Sequence, residues 1–345
     1  MRAAVIRRYG PPDVFSVQDV PDPQPKPGEI LIRVKTIGVN FADLLQRMGV
    51  YPNSPKPPFV PGLEVAGIVE KVVEGGRPSE AGDSLRPGDA VAAMTNFNAY
   101  AEWVTVPANL VFRLPPGIGF DEAAAIPVNY LTAYHSIFTM GNMLPGDRVL
   151  IHGAAGGVGI AAVQLAKARG LRIFGAAGPD KQETLRKLGV DHAIDHDKEN
   201  FVDVVRKFAP DGIEMVMDPI GGRSFSRSYE CLGSTGRLVI YGFSTVVTKD
   251  GKRHLFGSAK ALLETPRFHP LRLFAKNVSV IGVNLSGLQA RPALMRSQMA
   301  DLFQLYAAGK IKPMVGKKFP MVDVAAAHQF IHDRKNIGKV VMWVK

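Results

Sequence analysis

Residues 144–170 read Leu-Pro-Gly-Asp-Arg-Val-Leu-Ile-His-Gly-Ala-Ala-Gly-Gly-Val-Gly-Ile-Ala-Ala-Val-Gln-Leu-Ala-Lys-Ala-Arg-Gly. A turn leads into an apolar strand, Arg148 to His152. A glycine-rich bend follows, then an amphipathic helix. Gly153, Gly156 and Gly159 recur every third residue, with Gly157 and Val158 between them. This spacing suits a backbone that passes close to a pyrophosphate at a helix N-terminus, where free N–H groups and the helix dipole favour an anion. A phosphate loop of the Lys-Ser/Thr kind is excluded, because Ile160 and Ala161 follow Gly159.

Outward from this stretch the chain alternates. Asp121-Glu-Ala-Ala-Ala opens one helix and 129–140 forms another. Strands over 148–152, 171–176, 192–194, 213–217, 236–241 and 278–283 are expected, with helices over 157–169, 180–188, 199–208 and 222–232. That order predicts βαβ units and a doubly wound parallel sheet. Residues 1–120 have a different texture. Strand candidates at 3–6, 15–20, 30–39, 65–73, 90–94, 100–106 and 110–113 are broken by turns rich in Pro and Gly, which predicts a partly closed barrel or sandwich. Helices near 292–308 and 322–333 and a strand at 339–344 come last. The expected fold class is α/β. A β-rich catalytic domain takes 1–123 and 292–345, and a nucleotide domain takes 124–291. The ligand cleft of such a fold lies between them, at the C-terminal ends of the parallel strands.

Composition sets the bounds. The chain has 345 residues, 46% hydrophobic and 21% charged, enough for two globular cores. No apolar run nears the roughly 18–20 residues that cross a bilayer. Met1-Arg-Ala-Ala-Val-Ile reads as a strand and not as a signal peptide. A single cysteine, Cys231, precludes an internal disulfide and fits a reducing, cytoplasmic setting. The formal net charge of +11 suits polyanionic small molecules; contact with nucleic acid or an anionic membrane is the sharper alternative. Part of the excess lies in 249–276, where Lys249, Lys252, Arg253, Lys260, Arg267, Arg272 and Lys276 face only Asp250 and Glu264. Aromatics do not interleave with these charges at regular spacing, so no base-stacking platform is indicated.

The tip of the second parallel strand selects the nucleotide. NAD binders place a carboxylate there, about 20 residues after the glycines, for the ribose hydroxyls. Here the tip is Gly175-Ala176-Ala177. Asp180 is expected to cap the next helix. Lys181 stands in its first turn, where a 2′-phosphate gains a charge-assisted contact; the alternative is a solvated surface lysine. The pattern leans toward NADPH.

The order of parts, over essentially the whole chain, resembles the medium-chain dehydrogenase/reductase superfamily. More narrowly it resembles the zinc-independent quinone oxidoreductase (zeta-crystallin) family, through Gly38–Asp43, Pro61–Gly67, Tyr130–Tyr134, Gly153–Gly159 and Ile337–Val340. Val128–Tyr134, Met217–Gly222 and the basic insertion after Tyr241-Gly242 are most similar to the vesicle amine transport protein homologues. The resemblance implies a GroES-like first domain and a Rossmann second one. Asn40 and Leu63 stand where zinc-dependent members carry metal ligands, and one cysteine cannot make a four-cysteine lobe. No metal is therefore expected. The implied reaction is hydride transfer from NADPH to a quinone, enone or other conjugated carbonyl. Conjugation spreads the incoming charge, so weaker hydrogen-bond donors suffice.

The same resemblance implies the site. Asn40 contacts the nicotinamide ribose side, and Asp43 shapes that pocket. Thr132 faces the nicotinamide. Gly156, Gly157 and Val158 hold the pyrophosphate, Gly153 and Gly159 are counted with the cofactor residues, and Lys181 stands at the adenosine phosphate. Tyr241, Gly242 and Phe243 pass the nicotinamide ribose, and Asn284 bonds the carboxamide. Lys339, in the Ile337–Val340 stretch, is counted with the cofactor residues. Family members often carry Asn-Tyr-Arg near the adenosine end. This chain has Asp195-His196-Asp197, so His196 would meet the phosphate against two flanking carboxylates. Tyr51 is the candidate substrate-pocket hydroxyl, a packing aromatic being the equal alternative. Water or Tyr51 would serve as proton donor.

The edge strand at 278–283 and the family both imply a homodimer joined sheet to sheet. The rival reading is a binding protein that holds NADPH with little turnover and uses the basic segment on anionic membrane or RNA. Two other patterns are set aside. Tyr306 and Lys310 have the spacing of short-chain dehydrogenases, but Gly309 and Pro313 end the helix there. His328 and His332, one helical turn apart, adjoin no Glu and read as a solvated helix face.

Overall fold

The structure, a computed structural model, describes residues 1–75, 85–246 and 263–345. Its first part is a set of antiparallel strands. β1 (Arg2–Ile6) pairs with β2 (Phe15–Asp19). β3 (Glu29–Val39) buries Ile30, Ile32 and Val34 and leaves the residues between them more exposed, as a strand with one face on a core does. α1 (Phe41–Met48) follows directly, then β4 (Glu64–Val72), β5 (Ala90–Met94), β6 (Trp103–Pro107) and β7 (Val111–Arg113). The single helix expected at 129–140 is more broken: after α2 (Phe120–Ala123), α3 (Leu131–Tyr134) is flanked by wide π-type turns over Ile126–Tyr130 and His135–Met140.

The parallel sheet comprises β8 (Arg148–His152), β9 (Arg172–Ala177), β10 (His192–Asp195), β11 (Ile213–Asp218), β12 (Leu232–Ile240) and β13 (Ser279–Gly282). Their order is β10-β9-β8-β11-β12-β13. That is the doubly wound order whose reversal, between β8 and β11, opens a crevice above the strand tips. Val149, Leu150 and Ile151 are fully buried, the unbroken apolar run of a strand covered on both faces. Its helices are α4 (Gly157–Arg169), α5 (Gln182–Lys187), α6 (Phe201–Phe208), α7 (Arg223–Glu230) and α8 (Pro270–Lys276). α4 is not the amphipathic helix expected: it is buried around most of its circumference, and exposure is concentrated in its last turn. Of the basic stretch, Lys249, Lys252, Arg253 and Lys260 lie outside the described residues.

The chain then returns to the first sheet. α9 (Leu285–Leu288) and α10 (Pro292–Ala307) precede β14 (Val315–Pro320), α11 (Val324–His332) and β15 (Lys339–Trp343). β15 pairs antiparallel with β3 and parallel with β14. The first sheet therefore runs β14-β15-β3-β4-β5-β7, with β6 on the other end of β3. This return brings residues near 339 beside residues near 40.

Candidate active site

The chain leaves β8 at His152 and turns through the glycines into α4. At Gly159 a Cβ would come within 2.2 Å of the Gly153 carbonyl oxygen and 2.7 Å of Ala154 Cα. Only glycine lets the helix start so close to the strand tip. The first N–H groups of α4 have no intrahelical partner, and its first turn carries no acidic residue. Gly153 is exposed, and Gly156, Gly157 and Val158 are half-buried. The loop is thus an accessible anion cradle that fits a pyrophosphate.

Opposite it lies a buried polar cluster built from β3, α1, β4 and β15. Asn40 follows β3 directly and caps α1. Its amide N–H donates to Asp43 Oδ2 at 2.8 Å, and its side-chain Nδ2 donates to Glu64 Oε1 at 2.8 Å. Lys339 Nζ donates to Asn40 Oδ1 at 2.6 Å and also bonds Glu64 Oε1. Glu64 Oε2 accepts from the Val128 amide at 2.8 Å. Gly38 makes room: a Cβ there would lie 2.6 Å from Glu64 Oε1 and 2.3 Å from the Ala124 oxygen. Both ends of the Asn40 amide are therefore held, and Glu64 and Lys339 compensate each other's charge. Burial pushes the Asp43 carboxyl up to about 7, against the Asn40 amide, Lys339 and the Tyr100 hydroxyl, which favour its ionised form.

A short bridge joins cradle and cluster. Gly338 N donates to the Ala155 oxygen at 2.8 Å, and Gly338 pairs with Gly156. The next residue is Lys339. The residue just before the last strand thus touches the glycine loop, and the strand's first residue touches Asn40.

Residues 26–116 match the alcohol dehydrogenase GroES-like domain family, and residues 157–304 match the zinc-binding dehydrogenase family. The synaptic vesicle membrane protein VAT-1 homolog of Homo sapiens is 38% identical over 345 residues, covering 99% of this chain and 86% of that protein. The quinone oxidoreductase of Homo sapiens is 30% identical over 354 residues, covering 99% of this chain and 97% of that protein. The structure of Escherichia coli quinone oxidoreductase complexed with NADPH has a TM-score of 0.86 at 28% identity, covering 99% of this chain and 100% of that one. The chain belongs to the quinone oxidoreductase-like family of medium-chain dehydrogenase/reductases, close to the VAT-1 homologues. The GroES-like and Rossmann fold class expected from the sequence holds.

Seen as a member of the quinone oxidoreductase-like family, the chain distributes its expected site residues unevenly. Asn40, Asp43 and Lys339 come together as described. Lys181 follows the tip of β9 as expected, yet its ammonium is already engaged. It donates to the oxygens of Arg334 at 2.5 Å and Asn336 at 3.0 Å, and burial lowers its pKa. It is a half-buried cation that already has two partners. Asp180 does not cap α5; it sits inside the tight turn Pro179–Lys181 without a capping bond. His196 is exposed at the tip of β10, with Nε2 3.5 Å from Asp197 Oδ1. Thr132 turns its hydroxyl back to the Val128 oxygen at 2.7 Å. The Tyr241 hydroxyl reaches toward the His152 oxygen at 3.5 Å, with Gly242 and the exposed Phe243 following. Asn284 caps α9, its Oδ1 accepting from Ser286 N at 2.9 Å. Tyr51 lies half-buried in the turn after α1, outside the cluster.

The reading of His328 is also overturned. His328 does not lie on a solvated face: it is fully buried, and its Nε2 lies 3.0 Å from the Tyr100 hydroxyl. Its partner comes from a distant strand connection, which no local periodicity reveals. Sequence reasoning also misses Glu64, Tyr100 and Arg47. The one available signal is a charged residue inside an apolar run, Leu63-Glu64-Val65-Ala66. Among the described residues, no three His, Cys, Asp or Glu side chains converge to hold a metal.

Proposed function

We propose that this chain is an NADPH-dependent, zinc-free reductase of quinones, enones and other conjugated carbonyls. The observation that carries the reading is the bridge at Gly156 and Gly338, which sets the anion cradle beside the Asn40–Glu64–Lys339 cluster. The Escherichia coli relative is a quinone oxidoreductase seen in complex with NADPH, and the human relative is likewise a quinone oxidoreductase by name. When bound, NADPH supplies a hydride at its nicotinamide. The cradle would hold the pyrophosphate, and Lys181, now bonded to the Arg334 and Asn336 oxygens, would be the cation for the 2′-phosphate. Asn40, locked by Glu64 and Lys339, borders the nicotinamide ribose in one orientation. Leu63 is apolar and both ends of the Asn40 amide are occupied, so neither is free to ligate zinc.

We divide the chain at 123/124 and 291/292, and assign the edge of β13 to a homodimer. Cys231 is free and buried, its thiol pushed up to about 12 by burial, in keeping with a reducing, cytoplasmic setting. Among the described residues no helix is long and apolar enough to cross a membrane. One observation favours the rival binding protein: α8 exposes Leu271 (70%) and Phe274 (85%) near Arg267 and Arg272.

The test mixes purified protein with NADPH and a panel of quinones, enones and simple ketones. Loss of nicotinamide absorbance with the conjugated acceptors alone is expected. NADPH bound without turnover on any of them overturns the reductase reading. Monomer by light scattering, with salt-sensitive binding to anionic vesicles, would then favour the rival.

A further inference from the structure

Asp43 has a second set of contacts, directed away from the cleft. Its Oδ2 accepts from the Asn40 amide and, at 2.9 Å, from the Tyr100 hydroxyl. That hydroxyl lies 3.0 Å from His328 Nε2 on α11. All three side chains are fully buried. The hydroxyl has one proton to give. It goes to the carboxylate, so the imidazole donates from Nε2 and its Nδ1 is the bare nitrogen. Among the described residues Nδ1 has no hydrogen-bond partner, and the Phe15 ring packs against the imidazole at 4.7 Å. Burial and the neighbouring Arg47 hold His328 well below its usual pKa, so it carries a single ring proton. With Asp43 ionised, donation runs one way, from His328 to Tyr100 to Asp43.

We propose that Tyr100 and His328 are positioning residues: they fix Asp43, Asp43 fixes the first turn of α1, and that turn aims Asn40 at Glu64, Lys339 and the cofactor cleft. Asp43 is the third residue of α1 and bonds back to the cap residue, so its orientation sets the angle at which Asn40 leaves β3. The inference rests on the reductase reading of the cleft. Around Asp43 the charged groups are Lys339 and Glu64 on the cleft side; Arg47 lies beside Tyr100 and His328, and Asp13 acts on Arg47. None of these replaces the Tyr100 hydroxyl as a donor.

The test compares Tyr100→Phe, His328→Gln and wild type. Tyr100→Phe removes a donor from the ionised carboxylate, so Asp43 titrates at higher pH and the acid limb of kcat moves up with it. At neutral pH kcat falls about tenfold, the effect of one misaligned hydrogen-bonded group, while the KM for NADPH changes by less than about twofold. His328→Gln keeps an N–H donor and most of the rate; His328→Leu does not. Tyr100→Phe with Asp43→Asn is no slower than Asp43→Asn alone, because the residues act in series. A carboxyl NMR titration of Asp43 stands apart from turnover. An unmoved Asp43 midpoint in Tyr100→Phe, or additive losses in the double variant, overturns the proposal. A wild type that binds NADPH but reduces no acceptor overturns the reductase reading alone, and the titration still decides the role of Tyr100.

Discussion

Two buried polar clusters, one in each sheet, are finished in different ways. At the tips of β8 and β11, Asp218 Oδ1 accepts from Ile220 N, and its Oδ2 accepts from the hydroxyls of Ser224 and Ser228, all at 2.7 Å. His152 Nε2 lies 3.1 Å from the Ser228 hydroxyl. Apart from His152, the partners are short side chains or backbone close by in the chain. Both carboxylate oxygens are used. In the first sheet, Asp43 receives donors on Oδ2 alone. Among the described residues its Oδ1, the Arg47 guanidinium nitrogens and His328 Nδ1 have no hydrogen-bond partner. The contacts there span up to 299 positions of sequence. A saturated local network braces a strand tip. An unsaturated, long-range one leaves protonation states open to change, which suits a site that guides a reaction.

That contrast can be broken in order of expected effect. Lys339→Met strands the Glu64 carboxylate in the core and should cost about 3–5 kcal/mol in chemical denaturation. Adding Glu64→Gln should recover most of the loss; no recovery would mean that the pair is not the cause. Asp218→Ala orphans an amide and two hydroxyls and should cost about 2–4 kcal/mol, with the pH dependence of kcat unmoved. A shifted profile would make the two clusters alike. Lys181→Ala should weaken NADPH about 10–100-fold by fluorescence titration and NADH far less; equal losses would sink the phosphate role. Per pH unit, the smallest effect is a slope. Folded Asp43 titrates near 7, against 3.8 as the reference value. Between these the folded chain keeps a proton that the unfolded one has lost, so stability falls as pH rises, by at most about 1.4 kcal/mol per pH unit. In Asp43→Asn that slope should flatten, and an unchanged slope would assign the titration elsewhere.

What the sequence reveals follows from where each signal is stored. The glycine loop and parallel strands are legible because close approach and two-sided burial act on neighbouring residues. α1 escapes because its buried face carries Asp43, Gln46 and Arg47, which break the apolar period of a core helix. β14 escapes for another reason. As an edge strand it exposes Gly316, Lys317 and Lys318, residues that guard an edge and disguise a strand. The catalytic-side cluster is half legible. Asn40 and Asp43 share a motif, but His328 meets Tyr100 across 228 positions and Lys181 meets Asn336 across 155. Such pairings exist only once the sheets are assembled.

The pairing of β15 with β3 also sets a timetable. A ribosome makes residues 29–72 long before residue 339. Until that residue emerges, Glu64 lacks the Lys339 ammonium and the C-terminal end of β3 lacks its β15 neighbour. The whole parallel sheet is synthesised in the interval. The cofactor domain therefore has all of its strands available to fold while the first domain still waits. A nascent chain arrested between β13 and β14 should already bind the adenosine half of the cofactor while its first domain stays open to protease.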